Sequence, residues 1–284
     1  MEGDRASPAF ARALDGALAA GSPAPLHRAA LELLPAAQAS RLAAEVHTTL
    51  ATRRDAEKQH AIALLARAGA PATDAELAAL GATLVAGTCA PALQLDVMEA
   101  LQARSAANPA LAAQLKAWAA QPVVTQHPEL LAGGDATRGR DIVADHLAAN
   151  CMACHSVMPN SGSTVGPNLR MIGRERAPAY LLEALLEPSA KLAPGFGMVN
   201  VTLKDKTEVT GTLASETPTA VTVRAFDGTR RTVKRSDIAS QTPPASIMPP
   251  MGAILQPREI RDVVAYLSSL KGGRSRPATD EDEK

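Results

Sequence analysis

Apolar residues recur at helical spacing through residues 10–119, as in Leu26, Ala30, Leu33 and Leu34 and again in Ile62, Leu65 and Ala66. This is the 3.6-residue period of amphipathic helices. Gly21 to Pro25, Pro35, Gly69 to Pro71, Gly87 and Asn108-Pro109 interrupt the pattern with the residues that break helices. The segments between the breaks are short and predict antiparallel helix pairs, clearest over Asp55 to Ala68, Asp74 to Ala86 and Pro91 to Arg104. Pairs of this length cannot bury their apolar faces singly, so residues 1–130 are expected to stack into an α-solenoid without a crisp repeat period.

The pattern lapses near Gln121 to Pro128 and breaks again at Gly133-Gly134, where the boundary of a second domain, 133–271, is expected. Asp135 is placed to cap a helix running to about Asn150, with Ile142, Val143, His146 and Leu147 along one face. Pro178 and Pro188 bracket a helix whose apolar face is Leu181, Leu182, Leu185 and Leu186. A last helix opens at Pro257, buries Ile260, Val264 and Leu267, and stops at Gly272-Gly273. Between these helices the period changes. Val199, Val201 and Leu203, then Val209, Gly211 and Leu213, then Val221 and Val223 alternate, with Lys204 to Thr207 and Asp227-Gly228 as turns. Residues 196–243 are therefore expected to be an antiparallel insert, a four- or five-stranded meander or small barrel. The charged, apolar-poor tail 272–284 is expected to be disordered.

Composition narrows the classes. At 284 residues the chain has room for two or three domains. Aromatic residues make up 2% of it, so its cores are built of Ala, Leu and Val, and a solenoid made of them is thin and leaves a face for a partner to cover. Twenty-nine basic residues balance 29 acidic ones with no long basic run, which argues against a nucleic-acid partner. No apolar run reaches the roughly 18–20 residues that a membrane span needs.

Chemistry concentrates at Cys151-Met152-Ala153-Cys154-His155, the c-type haem attachment signature. In that reading the two thiols become thioethers to the haem vinyl groups and His155 supplies the proximal imidazole. Cys-x-x-Cys also serves zinc sites and redox dithiols. A structural zinc site wants two close ligand pairs, whereas the third cysteine, Cys89, stands alone 62 residues upstream and reads as a small buried residue. A dithiol motif would open a helix after a buried strand, and the stretch before Cys151 reads as helix. His146 is expected at a helix surface or edge, and His27, His47, His60 and His127 show no ligand spacing.

Gly166-Pro167-Asn168-Leu169 follows His155 by 11 residues, and Met248-Pro249-Pro250 precedes the last helix. With these the stretch 133–271 resembles the monohaem class I cytochromes c. The resemblance implies that the Pro167 carbonyl accepts a hydrogen bond from His155 Nδ1, that Leu169 packs on the haem, and that Met248 is the distal iron ligand. Met251, three residues on, is the other candidate sulfur, and gap filling is the commoner use of either methionine. His155 and Met248 lie 93 residues apart, of which the insert accounts for 48. Tyr180 to Glu183, Glu187 to Ala190, Ala193 to Phe196, the strand-rich insert and Ser246 to Pro249 look more narrowly like the haem-binding domain at the C-terminus of large secreted bacterial proteins. There a sugar-dehydrogenase-like propeller and helical repeats often come first. By that likeness the first half is HEAT-like. No propeller is expected within these residues, so the likeness does not imply dehydrogenase activity.

The fold expected is mainly α: a HEAT-like α-solenoid followed by a class I cytochrome c fold carrying a small antiparallel β insert. The function expected is one-electron transfer by a single covalent haem c with His155/Met248 ligation and no catalytic residue. The expected partner is a redox protein, a dehydrogenase donor or a downstream cytochrome or oxidase. Two alternatives are a gas or peroxide sensor or peroxidase with a labile distal Met, and a helical-repeat scaffold in which haem is secondary. Haem attachment takes place outside the cytoplasmic membrane, so a periplasmic or otherwise exported location is expected. Met1 to Phe10 shows no basic and apolar export signal, which makes a fragment or misassigned start of a longer secreted protein the expectation.

Overall fold

The computed structural model describes residues 7–34, 36–121, 126–159, 165–225 and 227–272. The break expected at Pro35, and the tail beyond Gly272, lie outside them. The chain is mainly helical with one small antiparallel sheet, and it divides into two compact units, Met1–Gly133 and Gly134–Lys284. Among the described residues no helix is long and apolar enough to cross a membrane.

In the first unit α1 (Pro8–Leu18), α2 (Ala24–Leu33), α3 (Ala39–Thr52), α4 (Asp55–Ala68), α5 (Pro71–Val85), α6 (Gln94–Arg104) and α7 (Pro109–Ala119) follow one another. Local signals set several of their ends. Ser7 Oγ accepts from Phe10 N–H at the start of α1, Asn108 Oδ1 accepts from Ala110 N–H before Pro109, and α4 ends on Gly69 in the left-handed conformation (φ 59°). Two expected starts move. The α5 helix begins at Pro71 rather than Asp74, because the Thr73 hydroxyl accepts from Ala70 N–H and donates to Ala70 O. The segment from Pro91 opens with a one-turn 3-10 helix before α6. Helices pack on the next but one as well as on the next: α2 on α4, α3 on α5, α4 on α6 and α5 on α7. Their shared core holds Ala30, Leu31, Val46, Ile62, Leu65, Leu77, Leu101 and Leu111.

One face is out of phase with expectation. The buried side of α2 carries His27, Ala30 and Leu31, while Leu26 is 50% exposed and Leu33 36%. A histidine on the inward stripe hides that stripe from a hydrophobicity pattern, and the outward leucines mimic it.

In the second unit α8 (Ala136–Asp145), α9 (Cys151–Cys154), α10 (Ile172–Glu175), α11 (Pro178–Leu186) and α12 (Pro257–Ser269) surround a core of Val143, Leu181, Leu182, Leu185, Leu255, Ile260, Val263, Val264 and Leu267. The first and last long helices pack directly on each other. Gly139 allows it, since a Cβ there would lie 2.0 Å from the Asp262 carbonyl oxygen. Buried Asp262 ties the corner by accepting from Asp135 N–H at 2.7 Å and from Arg138 Nε at 2.9 Å. Asp135 in turn accepts from the amides of Thr137 and Arg138, the expected cap.

Between α11 and α12 the chain forms β1 (Met198–Leu203), β2 (Glu208–Glu216), β3 (Ala220–Arg224), β4 (Arg230–Lys234) and β5 (Ile238–Gln241), all antiparallel, in the order β4-β3-β2-β1-β5. Four steps of about 4.8 Å would put the outer strands of a flat sheet about 19 Å apart. Only the single 3-10 turn Arg235–Asp237 joins β4 to β5, so the sheet curls. Val199, Val201, Val209, Val221, Val223 and Val233 fill its concave side. The curl stops short of hydrogen-bonded closure, because β4 and β5 remain its two edges.

Candidate functional site

The helix expected to reach Asn150 ends at Asp145. His146 leaves helical geometry, its Nδ1 accepts from Ala149 N–H at 3.1 Å, and its carbonyl accepts from Asn150 N–H at 2.8 Å. The ring thus caps a turn instead of continuing a helix, as a side chain that competes with the backbone ladder does. Leu147, expected on the apolar face, is 95% exposed as a result. Asn150 takes up positive φ (40°) and starts the one-turn helix Cys151–Cys154.

On that turn the two cysteines stand three residues apart, which places them on one face. Both are free thiols and partly exposed. Burial pushes the Cys151 thiol pKa up, and the neighbouring Cys154 adds to the shift. His155 closes the turn with its N–H on the Cys151 carbonyl at 2.9 Å. Its Nδ1 lies 2.8 Å from the Pro167 carbonyl oxygen. A carbonyl only accepts, so Nδ1 carries a proton, and in the neutral ring the lone pair that can meet a metal is then on Nε2.

Several groups around this bond were not singled out from the sequence. Ser156, 2% exposed, accepts Leu169 N–H on its carbonyl at 2.7 Å, and its Oγ accepts from Met158 N–H at 3.2 Å. Asn168 donates from Nδ2 to the Met158 carbonyl at 2.9 Å and accepts Arg170 N–H on Oδ1. Gly166 N–H reaches the Cys154 carbonyl at 2.7 Å, and a Cβ on Gly166 would meet His155 Cε1 at 2.8 Å. The segments on either side of residues 160–164 are therefore laced together, and the Pro167 carbonyl is held against Nδ1. Gly166 and Asn168 stand in the motif that drew attention to Pro167. Nothing in the sequence marks Ser156, whose role follows from its burial.

The remaining candidates sit on other segments. Leu169 is half-buried next to the bridge between Ser156 and Asn168. Met248 is half-buried on the loop before α12, with its N–H on Ser246 Oγ at 3.1 Å. Met251 differs, being 3% exposed in a 3-10 turn packed against α11 and α12. Leu147, Met158, Val165 and Ile247, each close in sequence to one of these groups, are the large exposed apolar residues among the described residues of this unit. Among the described residues no three His, Cys, Asp or Glu side chains cluster as a metal-ligand set. Cys89 is buried in the other unit's core, where burial raises its pKa.

The donor set suits a covalently tethered metal macrocycle: two free thiols on one turn and an imidazole whose Nδ1 is already engaged, with exposed apolar side chains close by in sequence. No protein-family model matches the chain, and no curated protein matches it.

Proposed function

We propose that the chain is a covalent c-type haem protein that transfers single electrons. The observation that carries the reading is the 2.8 Å bond from His155 Nδ1 to the Pro167 carbonyl, one residue after a helical turn that bears two free thiols. Metal-bound histidines almost always donate their other ring N–H in this way, which fixes the tautomer and raises ligand basicity.

Cys151 and Cys154 would hold the haem, His155 would be its proximal ligand, Met248 its distal ligand, and Leu169 would pack on it. Half-exposure of Met248 supports its choice over Met251, whose side chain is already spent in the core. Bound there, the haem supplies a one-electron couple whose potential depends on axial ligands, burial and hydrogen bonds. His155 is kept from rotating by Pro167, and that carbonyl is kept in place by Ser156 and Asn168. Leu147, Met158, Val165 and Ile247, exposed in the chain alone, are apolar surface that a bound haem could cover. No residue needs to act as catalytic acid, base or nucleophile.

The direct packing of α8 on α12, with α11 against α12, supports a class I cytochrome c fold for the second unit, with the sheet as its insert. The next-but-one packing of α2 to α7 supports a HEAT-like solenoid for the first. By this reading the protein works outside the cytoplasmic membrane beside a dehydrogenase or a downstream electron acceptor. The test is the pyridine haemochrome and reduced-minus-oxidised spectrum of full-length chain exported with haem-attachment machinery. We expect a c-type spectrum and the weak far-red band of ferric iron bonded to methionine sulfur, lost in Met248→Ala and kept in Met251→Ala. Absence of covalent haem would overturn the proposal.

A further inference from the structure

The β insert does not end at β5. Beyond Gln241 the chain keeps pairing with β1: Thr242 N–H donates to the Asn200 carbonyl at 3.0 Å, and Thr242 Oγ1 accepts from Asn200 N–H at 2.8 Å. Farther along, Met198 and Ala245 exchange both backbone bonds, at 2.7 and 2.9 Å. On its other side β1 is in full register with β2, Met198 facing Thr212, so the strand that grips residues 242–245 is central rather than an edge. Gly197 lets Pro244 close against it, since a Cβ on Gly197 would lie 2.9 Å from Pro244 Cβ. The next residue is tied as well. Ser246 N–H donates to Ser189 Oγ at 3.1 Å, and Ser246 Oγ accepts from Met248 N–H at 3.1 Å. Downstream, Pro249 and Pro250 stiffen the chain and Met251 is buried. The short segment carrying Met248 is thus clamped at both ends, and its upstream clamp is the insert.

We infer that the β insert is the positioning device for Met248. The pairing of Met198–Asn200 with Thr242–Ala245, continued by the Ser189–Ser246–Met248 hydrogen bonds, sets how firmly the methionine sulfur is presented to iron. This rests on the reading of Met248 as the distal ligand. Ordering a loop of this kind costs backbone entropy, and a ligand on an unclamped loop would be displaced readily by a small exogenous ligand. Ser189, Thr242 and Ser246 are positioning residues: Ser189 and Ser246 accept from the Ser246 and Met248 amides, and Thr242 accepts from Asn200 N–H on the strand that pairs with residues 242–245.

The test uses full-length haem-loaded protein with Ser189→Ala, Thr242→Val and Ser246→Ala, and Thr232→Val on β4 as a control within the same sheet. Readouts are the far-red iron–sulfur band and the rate at which carbon monoxide replaces methionine on reduced iron. Each positioning variant is expected to bind carbon monoxide about fivefold or more faster, the factor one net hydrogen bond carries. Ser246→Thr, which keeps the hydroxyl, should restore the wild-type rate, and Thr232→Val should match wild type. Amide hydrogen exchange of residues 245–248 in the haem-free chain should rise in the same three variants. Wild-type rates in all three, or an equal rise in Thr232→Val, would overturn the inference while the wild-type band still stood. A wild type lacking the band would instead remove the reading of Met248 on which it rests.

Discussion

The imidazole of His155 is gripped on two sides, by the Pro167 carbonyl at 2.8 Å and by Gly166, where a Cβ would come within 2.8 Å of Cε1 and 3.0 Å of the Cys154 carbonyl. Neither backbone oxygen nor ring has slack to give. Gly166→Ala is therefore expected to lower stability by about 1–3 kcal/mol, the usual cost of overpacking, read as a lower urea midpoint. A second residue-scale consequence lies in the other unit. His27 is 3% exposed, and burial first and the Arg53 charge second lower its pKa, against an opposing pull from Glu57. His60, 3.3 Å from Glu32, is likewise lowered, by burial and by Arg28 and Arg67 over the raising effect of Glu32. The unfolded chain takes up these protons near the ordinary value of 6.5, and the folded chain only at lower pH. Within that window the unfolded state holds more protons, so stability rises with pH. It is complete above 6.5, falls as pH drops through the window, and levels off below the folded values. Urea melts across this range should show that slope, and His27→Gln should flatten it. An unchanged slope in that variant would show that His27 does not titrate on unfolding.

At the scale of elements, the contact between α8 and α12 turns on Gly139. Alanine in a helix interior is ordinarily about 1 kcal/mol better than glycine, so propensity alone predicts that Gly139→Ala stabilises. A Cβ 2.0 Å from the Asp262 carbonyl oxygen reverses the sign, because two helix backbones must separate and the Asp262 bonds to Asp135 and Arg138 must stretch with them. Gly139→Ala is expected to lower the melting temperature, whereas Gly16→Ala, with open space around its Cβ on α1, should hold or raise it. The same comparison shows which element features were legible. The Asp135 cap, Pro178 and Pro257 at helix starts and Gly69 at a helix end were read correctly, because each signal acts within four residues of its own backbone. The end of α8 was misread, since His146 on an apolar face looks like helix until its ring is seen to accept from Ala149 N–H. The inward stripe of α2 was misread for a kindred reason: buried His27 breaks the apolar pattern, and the surface leucines Leu26 and Leu33 restore a false one.

For the whole molecule, two cores with their own buried residues account for two compact units. Residues 1–133 and 134–284 expressed separately are each expected to fold, with circular dichroism spectra that sum to that of the full chain and separate cooperative melts. A fragment that remains unfolded would show that its core is incomplete without the other.

What the sequence determined by itself was whatever acts locally or through a fixed spacing. The helical and strand periods, the caps and breaks, and the grouping of Cys151, Cys154 and His155 on one short segment are of this kind, and so is the pointer to Pro167. What only the tertiary structure decided was which distant backbones meet: Gly139 on Asp262, Ser156 with Asn168 bracing the Pro167 carbonyl, β1 gripping Thr242 to Ala245, and Met251 buried where Met248 is not. These are contacts between segments that are not neighbours along the chain. Their partners are backbone amides and carbonyls that every residue carries, so no residue type announces them until the fold brings them together.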